Sequence, residues 1–189
     1  MARIGVLALQ GGFAEHVAEL AKLGAEPVLV RDRAALKGLD GIILPGGEST
    51  AQARLLKAFS MYEPLKDMIQ NGFPVMGTCA GLILLAREIE GEPAHFGLLP
   101  VRVCRNAYGR QLASFHSFGD FDGLGRVPMT FIRAPLITEV FPGANVLARE
   151  GGKPVAVSFK NMLAMSFHPE LDKCDTVHSA FLQFWVQKL

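Results

Sequence analysis

Apolar positions recur along the first half of the chain in two alternating rhythms. Residues 4–9 form a short apolar run of strand type, and Phe13, Val17, Leu20 and Ala21 then return at helical spacing. Residues 27–30 predict a second strand, after which Asp32 can cap a short helix. Residues 40–44 predict a third strand that breaks off at Pro45-Gly46-Gly47. Ser49 or Thr50 can cap the next helix, which carries Ala53, Leu56 and Phe59 on one face. Leu65, Met68 and Ile69 mark a further helix ending at Asn71-Gly72, followed by a strand over 73–76 and a helix over 80–87.

Strands alternating with helices imply a parallel sheet covered on both faces, with ligands held beyond the carboxyl ends of the strands. The second half has a different rhythm. Residues 101–104, 127–133, 146–148, 155–159 and 162–167 are all strand-like, with few helical patterns between them. Residues 176–189 predict a closing helix whose Val177, Phe181 and either Phe184 or Trp185 face the core. The expected fold is therefore α/β: a mixed, centrally parallel sheet with helices on both faces, in one domain over residues 1–189.

Composition narrows the function classes. Half of the 189 residues are apolar, enough for a substantial core, and 19 basic side chains face 18 acidic ones. That balance gives no electrostatic reason to expect nucleic acid or an anionic membrane as the main partner. Apolar runs such as 42–44 and 82–86 are too short to span a bilayer. The N-terminus lacks the pattern of a signal peptide, and three widely spaced cysteines make neither a disulfide framework nor a zinc pattern. These features predict a cytoplasmic, reduced protein.

The chemistry concentrates in three segments. Gly77-Thr78-Cys79-Ala80-Gly81 follows a strand and opens a helix, the G-x-nucleophile-x-G arrangement with Cys in the usual place of Ser. Flanking glycines permit a sharp turn, and free N–H groups at the start of a helix favour a thiolate and an adjacent oxyanion. The alternative is a buried Cys in an ordinary strand-to-helix turn. Cys104, in an apolar strand, reads as packing, and Cys174, between Lys173 and Asp175, has no evident base. Ser166-Phe167-His168-Pro169-Glu170 ends the last strand, on the sheet edge that also carries Cys79. A catalytic Cys needs a base, and the base needs an orienting group; His168 and Glu170 can supply both. His16, His95, His116 and His178 lack such a setting and read as structural. In Leu44-Pro45-Gly46-Gly47-Glu48-Ser49-Thr50, a bare backbone can approach a ligand and donate N–H groups to an oxyanion. That loop has no Lys after its glycines, so it is not a phosphate-binding P-loop, and no dinucleotide signature or metal pattern is present.

These three segments together resemble the class I, triad-type glutamine amidotransferases, whose sheet is flavodoxin-like and three-layered. With L-A-L-Q-G-G at 7–12, R-N-A-Y-G-R-Q at 105–111 and F-I-R-A-P at 131–135, the chain is similar to the pyridoxal 5′-phosphate synthase glutaminase family over nearly its whole length. The resemblance implies that Cys79 attacks the side-chain amide of L-glutamine, His168 carries the proton to departing ammonia, and Glu170 orients His168. It implies an oxyanion hole from the N–H groups of Gly47 and Ala80. It also implies glutamine contacts from Gly47, Glu48, Ser49, Arg105, Ile132 and Arg133, an arginine suiting a carboxylate through its planar fork. Gln10 is implied to link the partner interface with the oxyanion region. The implied partner is a separate synthase subunit, decorated by many glutaminases in a large hetero-oligomer and needed for full activity. No cofactor is implied on this chain itself.

Three positions depart from the family pattern. Ala107 and Tyr108 stand where the family has Ser and Phe, and His116 stands where it has an acidic residue. Competing readings are a glutaminase serving another synthase, a Cys-dependent hydrolase of esters or peptides, and an assembly module without turnover.

Overall fold

The computed structural model of the protein describes residues 1–105 and 114–187, so Ala107 and Tyr108 lie outside the described residues. Among those residues, nine strands share one sheet and three form a second. The large sheet begins with β1 (Arg3–Leu7), β2 (Glu26–Val30), β3 (Gly41–Leu44) and β4 (Val75–Thr78). It continues with β7 (Ser114–Phe121), β8 (Gly125–Ile132), β10 (Asn145–Glu150), β11 (Lys153–Phe159) and β12 (Met162–Met165). Its order is β2-β1-β3-β4-β12-β11-β10-β7-β8. The pairs from β2 through β12 are parallel, and those from β12 through β8 are antiparallel. The small sheet joins β5 (Ala86–Ile89), β6 (Leu99–Cys104) and β9 (Leu136–Val140). The chain order reverses between β1 and β3, which opens the crevice where ligands bind in such sheets.

Strict alternation along the buried strands builds two cores. Ile42 and Leu44 of β3, with Met162 and Ala164 of β12, face one side, and Ile43, Leu163 and Met165 face the other. The first side is covered by α2 (Ser49–Ala58), α3 (Tyr62–Gln70), α4 (Ala80–Leu85) and the small sheet. The second is covered by α1 (Phe13–Lys22), α5 (Thr176–Ala180) and the π-helical segment Phe181–Val186. This is the expected mixed α/β sheet with helices on both faces, extended by the unforeseen second sheet.

Several local expectations are corrected. The helix expected over 80–87 stops at Leu85, because Ala86 turns extended and begins β5. Glu48, rather than Ser49 or Thr50, caps α2: its carboxylate accepts from the backbone N–H groups of Thr50 at 3.1 Å and Ala51 at 2.6 Å. On α1, Ala21 is exposed, whereas His16 and Glu19 are buried. The open choice on the last helical segment is resolved in favour of Trp185, which packs against the core while Phe184 is exposed. Asp32 does act as foreseen, accepting from Ala35 N–H at 3.0 Å ahead of the single turn Ala34–Leu36.

Leu163 lies on β12, hydrogen-bonded between β4 and β11, with its side chain fully inside the second core. Truncation there leaves a cavity that the paired backbone cannot collapse. Leu163→Ala is expected to destabilise the protein by roughly 2–5 kcal/mol in urea denaturation, with an unchanged denaturant slope.

Candidate active site

Cys79 sits at the break between β4 and α4 with φ 49° and ψ −100°, in the left-handed half of backbone space. A non-glycine residue is held there at a cost of about 1–3 kcal/mol. The neighbouring chain leaves no alternative path. A Cβ on Gly81 would run into the carbonyl of Leu44, and one on Gly77 would lie 2.7 Å from the Gly81 carbonyl carbon. The Cys79 N–H donates to the Met165 carbonyl at 2.9 Å, which ties the turn to the end of β12. The thiol lies 3.9 Å from the carbonyl of Ile132.

β12 delivers the partner groups. Beyond it, the His168 N–H donates to the Thr130 carbonyl at 2.8 Å, so β8 fixes where the imidazole stands. Pro169–Leu171 forms one tight turn that brings Glu170 back to its neighbour, with His168 Nδ1 2.7 Å from Glu170 Oε1. Burial pushes the His168 imidazole down, but hydrogen bonding and charge from Cys79 and Glu170 outweigh it and raise its pKa to about 10. Burial pushes the Glu170 carboxyl up, and the imidazoles of His16 and His168 more than offset this, leaving it below its ordinary range.

The Gly46-Gly47 loop closes the opposite wall. Gly46 lies against the His168 ring: a Cβ there would collide with Cε1 and come within 2.9 Å of Nδ1. Its carbonyl accepts from Gly12 N–H at 3.0 Å. Gln10 Oε1 accepts from Glu48 N–H at 2.8 Å, and Gln52 Nε2 donates to the carbonyls of Gln10 and Pro45 at 3.0 and 3.2 Å. Gln10 is thus part of the scaffold that shapes the glycine loop.

A cavity of about 440 Å³ is lined by Gln10, Gly47, Glu48, Ser49, Cys79, Arg105, Ile132, Arg133, His168 and Glu170, among others. The structure therefore gathers nearly every residue singled out in the sequence. Ala80 is the exception: it follows Cys79 and is buried as the first residue of α4. Arg105 Nη2 meets Glu48 Oε1 at 2.7 Å, and its Nη1 meets Glu92 Oε2 at 2.9 Å and Thr50 Oγ1 at 3.0 Å. Partial burial raises the Glu48 carboxyl, but the Ala51 and Thr50 N–H groups and Arg105 bring it below its ordinary value. Ser49 is buried, and its hydroxyl has no hydrogen-bond partner among the described residues.

The two remaining cysteines and one departure also find their places. Cys104 is half-buried with its thiol 3.7 Å from the Arg105 carbonyl, and Cys174 lies 3.1 Å from Thr176 Oγ1. His116 Nε2 lies 3.1 Å from Asp172 Oδ1, to which Thr130 Oγ1 donates at 2.8 Å. Behind the site, His16 and His178 form a fully buried pair that touches Glu170. The sequence offered one signal for it: His16 falls on the stripe of Phe13, Val17 and Leu20 that faces the core. Among the described residues, no helix is long and apolar enough to cross a membrane.

Residues 6–188 match the model of the SNO glutamine amidotransferase family. The chain is 52% identical over 185 residues to the pyridoxal 5′-phosphate synthase subunit PdxT of Haemophilus influenzae (strain PittEE), covering 95% of this chain and 96% of that one. It is 51% identical over 182 residues to the PdxT protein of Methanocorpusculum labreanum, covering 96% of each. It superposes on a crystal structure of a glutamine amidotransferase with TM-score 0.91 at 43% identity, over 95% of this chain and 96% of that one. The structure of PurLQS from Thermotoga maritima shares the fold with TM-score 0.68 at 19% identity, over 96% of this chain and 97% of that one.

The raised His168 pKa has a testable origin. Following the ring by NMR titration, Cys79→Ala and Glu170→Gln are each expected to lower it from about 10. A folded-state pKa above the ordinary 6.5 stabilises the fold fully below 6.5, and that stabilisation is lost as pH rises through about 10. The stability advantage of the natural chain over Glu170→Gln should accordingly shrink across that window in denaturant titrations.

Proposed function

The chain belongs to the SNO glutamine amidotransferase family, and on that premise we propose that Cys79, His168 and Glu170 hydrolyse L-glutamine and pass the ammonia to a pyridoxal 5′-phosphate synthase subunit. The whole of residues 1–189 acts as one amidotransferase domain in the cytoplasm. What carries the reading is the meeting, in one cavity, of a Cys held on a strained turn with a His168–Glu170 pair at 2.7 Å.

The reaction then proceeds in two halves. The Cys79 thiolate, formed as its proton passes to His168, attacks the δ-carbon of glutamine. The resulting oxyanion is held by the N–H groups of Gly47 and Ala80. His168, now an imidazolium, gives its proton to the departing nitrogen, and ammonia leaves behind a γ-glutamyl thioester on Cys79. Water, deprotonated by His168, attacks that thioester; the carbon–sulfur bond breaks and glutamate departs. Glu170 holds the imidazole in the Nδ1–H tautomer, so that Nε2 faces the sulfur, and favours its charged form in both halves.

Substrate recognition follows from the walls. Arg105 and Arg133 are the guanidinium groups lining the cavity, suited to the α-carboxylate, and Glu48, one of its three carboxylates, is suited to the α-ammonium. Ser49 and Ile132 complete the pocket. Arg105 is already paired with Glu48 and Glu92, so a bound glutamine shares or displaces part of an existing ion-pair network. Gln10, which fixes the Glu48 N–H beside the glycine loop, links that loop to the surface where the synthase docks. The assembly is a large hetero-oligomer of glutaminase and synthase subunits.

Glutamate release from L-glutamine, measured with and without the cognate synthase, tests the reading. Synthase-stimulated release that disappears in Cys79→Ala is expected; release persisting in that variant contradicts it. Complex formation without any release identifies an assembly module instead. Arg105→Met should raise KM about 10- to 100-fold with a smaller effect on kcat, the loss of a charged hydrogen-bonding pair of about 1.5–3 kcal/mol.

A further inference from the structure

The buried pair behind Glu170 has a defined proton order. His16 on α1 and His178 on α5 are both fully buried, with His16 Nδ1 2.9 Å from His178 Nε2. His16 Nε2 lies 3.2 Å from Thr78 Oγ1 on β4 and 3.4 Å from Glu170 Oε2. Among the described residues, His178 Nδ1 is buried without a hydrogen-bond partner, and Glu170 Oε2, equally buried, has the longer contact to His16 in place of a short hydrogen bond. His16 is therefore the polar side chain that faces the second oxygen of that carboxylate.

One proton must lie between the two rings, and only two arrangements of neutral imidazoles provide it. If His16 donates from Nδ1, its bare Nε2 can accept from the Thr78 hydroxyl but turns a lone pair toward the carboxylate, and His178 keeps a buried Nδ1–H with nothing to receive it. Both features are unfavourable. If His178 donates from Nε2, His16 accepts at Nδ1 and carries its own proton on Nε2, directed between Thr78 Oγ1 and Glu170 Oε2. The atom then left without a partner is a bare ring nitrogen, the cheaper one to strand. Burial lowers the pKa of both rings, His178 to about 3, which keeps them neutral and limited to one proton each.

We propose that His16 is a positioning residue of the triad: oriented by His178, it presents an Nε2–H to the second oxygen of Glu170 and so holds the carboxylate with its first oxygen on His168. The directed chain runs from His178 through His16 and Glu170 to His168 and Cys79. Thr78, which shares the same N–H, precedes Cys79 in the chain, so the network grips the nucleophile turn as well as the carboxylate. The proposal rests on the triad assignment, and the natural chain and Cys79→Ala in the same assay establish that assignment separately.

Glutamate release by the glutaminase–synthase complex is compared for His16→Met and His16→Gln. Methionine fills the site without a donor, and kcat is expected to fall about tenfold with KM within about twofold. Glutamine restores a terminal N–H near the Nε2 position and should return kcat to within about threefold of the natural value. Natural kcat in a folded His16→Met, or equal losses in both variants, overturns the proposal. If neither variant folds, ring-nitrogen NMR of the natural chain decides: both His16 and His178 are expected to carry their proton on Nε2. A proton on Nδ1 of His178 overturns the assignment.

Discussion

A carboxylate buried as deeply as Glu170 is tolerated only where hydrogen-bond donors and positive charge compensate for lost water, and the functional corner of the molecule is arranged around that requirement. One oxygen faces His168 at 2.7 Å and the other faces His16 at 3.4 Å. The first contact raises the basicity of the imidazole, and through it the proposed proton traffic with Cys79. The second reaches into the helical layer on the far side of the sheet. The same side chain thus ties the chemistry to packing: α1, α5 and the end of β12 must all be in place before Glu170 is satisfied.

The second constraint is steric. Cys79 keeps its left-handed backbone because Gly81 packs on Leu44 and Gly46 packs on the His168 ring, with no room for a side chain at either point. Three strand ends, those of β3, β4 and β12, are locked together by these approaches. The strain of about 1–3 kcal/mol is offset by the two cores on either side of the sheet, whose central strands β1, β3, β4 and β12 are almost wholly buried. Preorganisation of this kind is what an acyl-transfer site requires, since donors and nucleophile must stand ready before charge develops.

The parallel half of the sheet was legible in the sequence because β1, β3 and β4 are short, largely apolar runs followed by a helical stripe. The nucleophile turn, the His-Pro-Glu ending and the glycine loop were legible because short polar motifs interrupt those runs at strand ends. Of the small sheet, β6 was legible as the apolar run over 101–104, and its two partners were not. β5 grows directly out of α4 without a turn signal, and β9 reads Leu-Ile-Thr-Glu-Val, with exposed positions that blur the alternation. β7 alternates exposed and half-buried residues without a hydrophobic stripe, so its place between β10 and the edge strand β8 depends on pairing, above all with β8. His16 and His178 read as structural in the sequence because a histidine on an apolar face carries no label of its neighbours; only the fold brings His16 to Glu170 and His178 to His16. The α2 cap was misassigned because Ser and Thr are the commoner caps, whereas Glu48 has both backbone N–H groups within its reach.

Covalent chemistry at one cysteine among three offers the most direct test of the proposed nucleophile. Incubating the protein, with its synthase, with a diazoketone analogue of L-glutamine and mapping the adduct by peptide mass spectrometry reads this out. The predicted result is alkylation confined to Cys79 and suppressed by excess L-glutamine. Labelling at Cys104 or Cys174, or labelling of Cys79 that L-glutamine does not suppress, contradicts it.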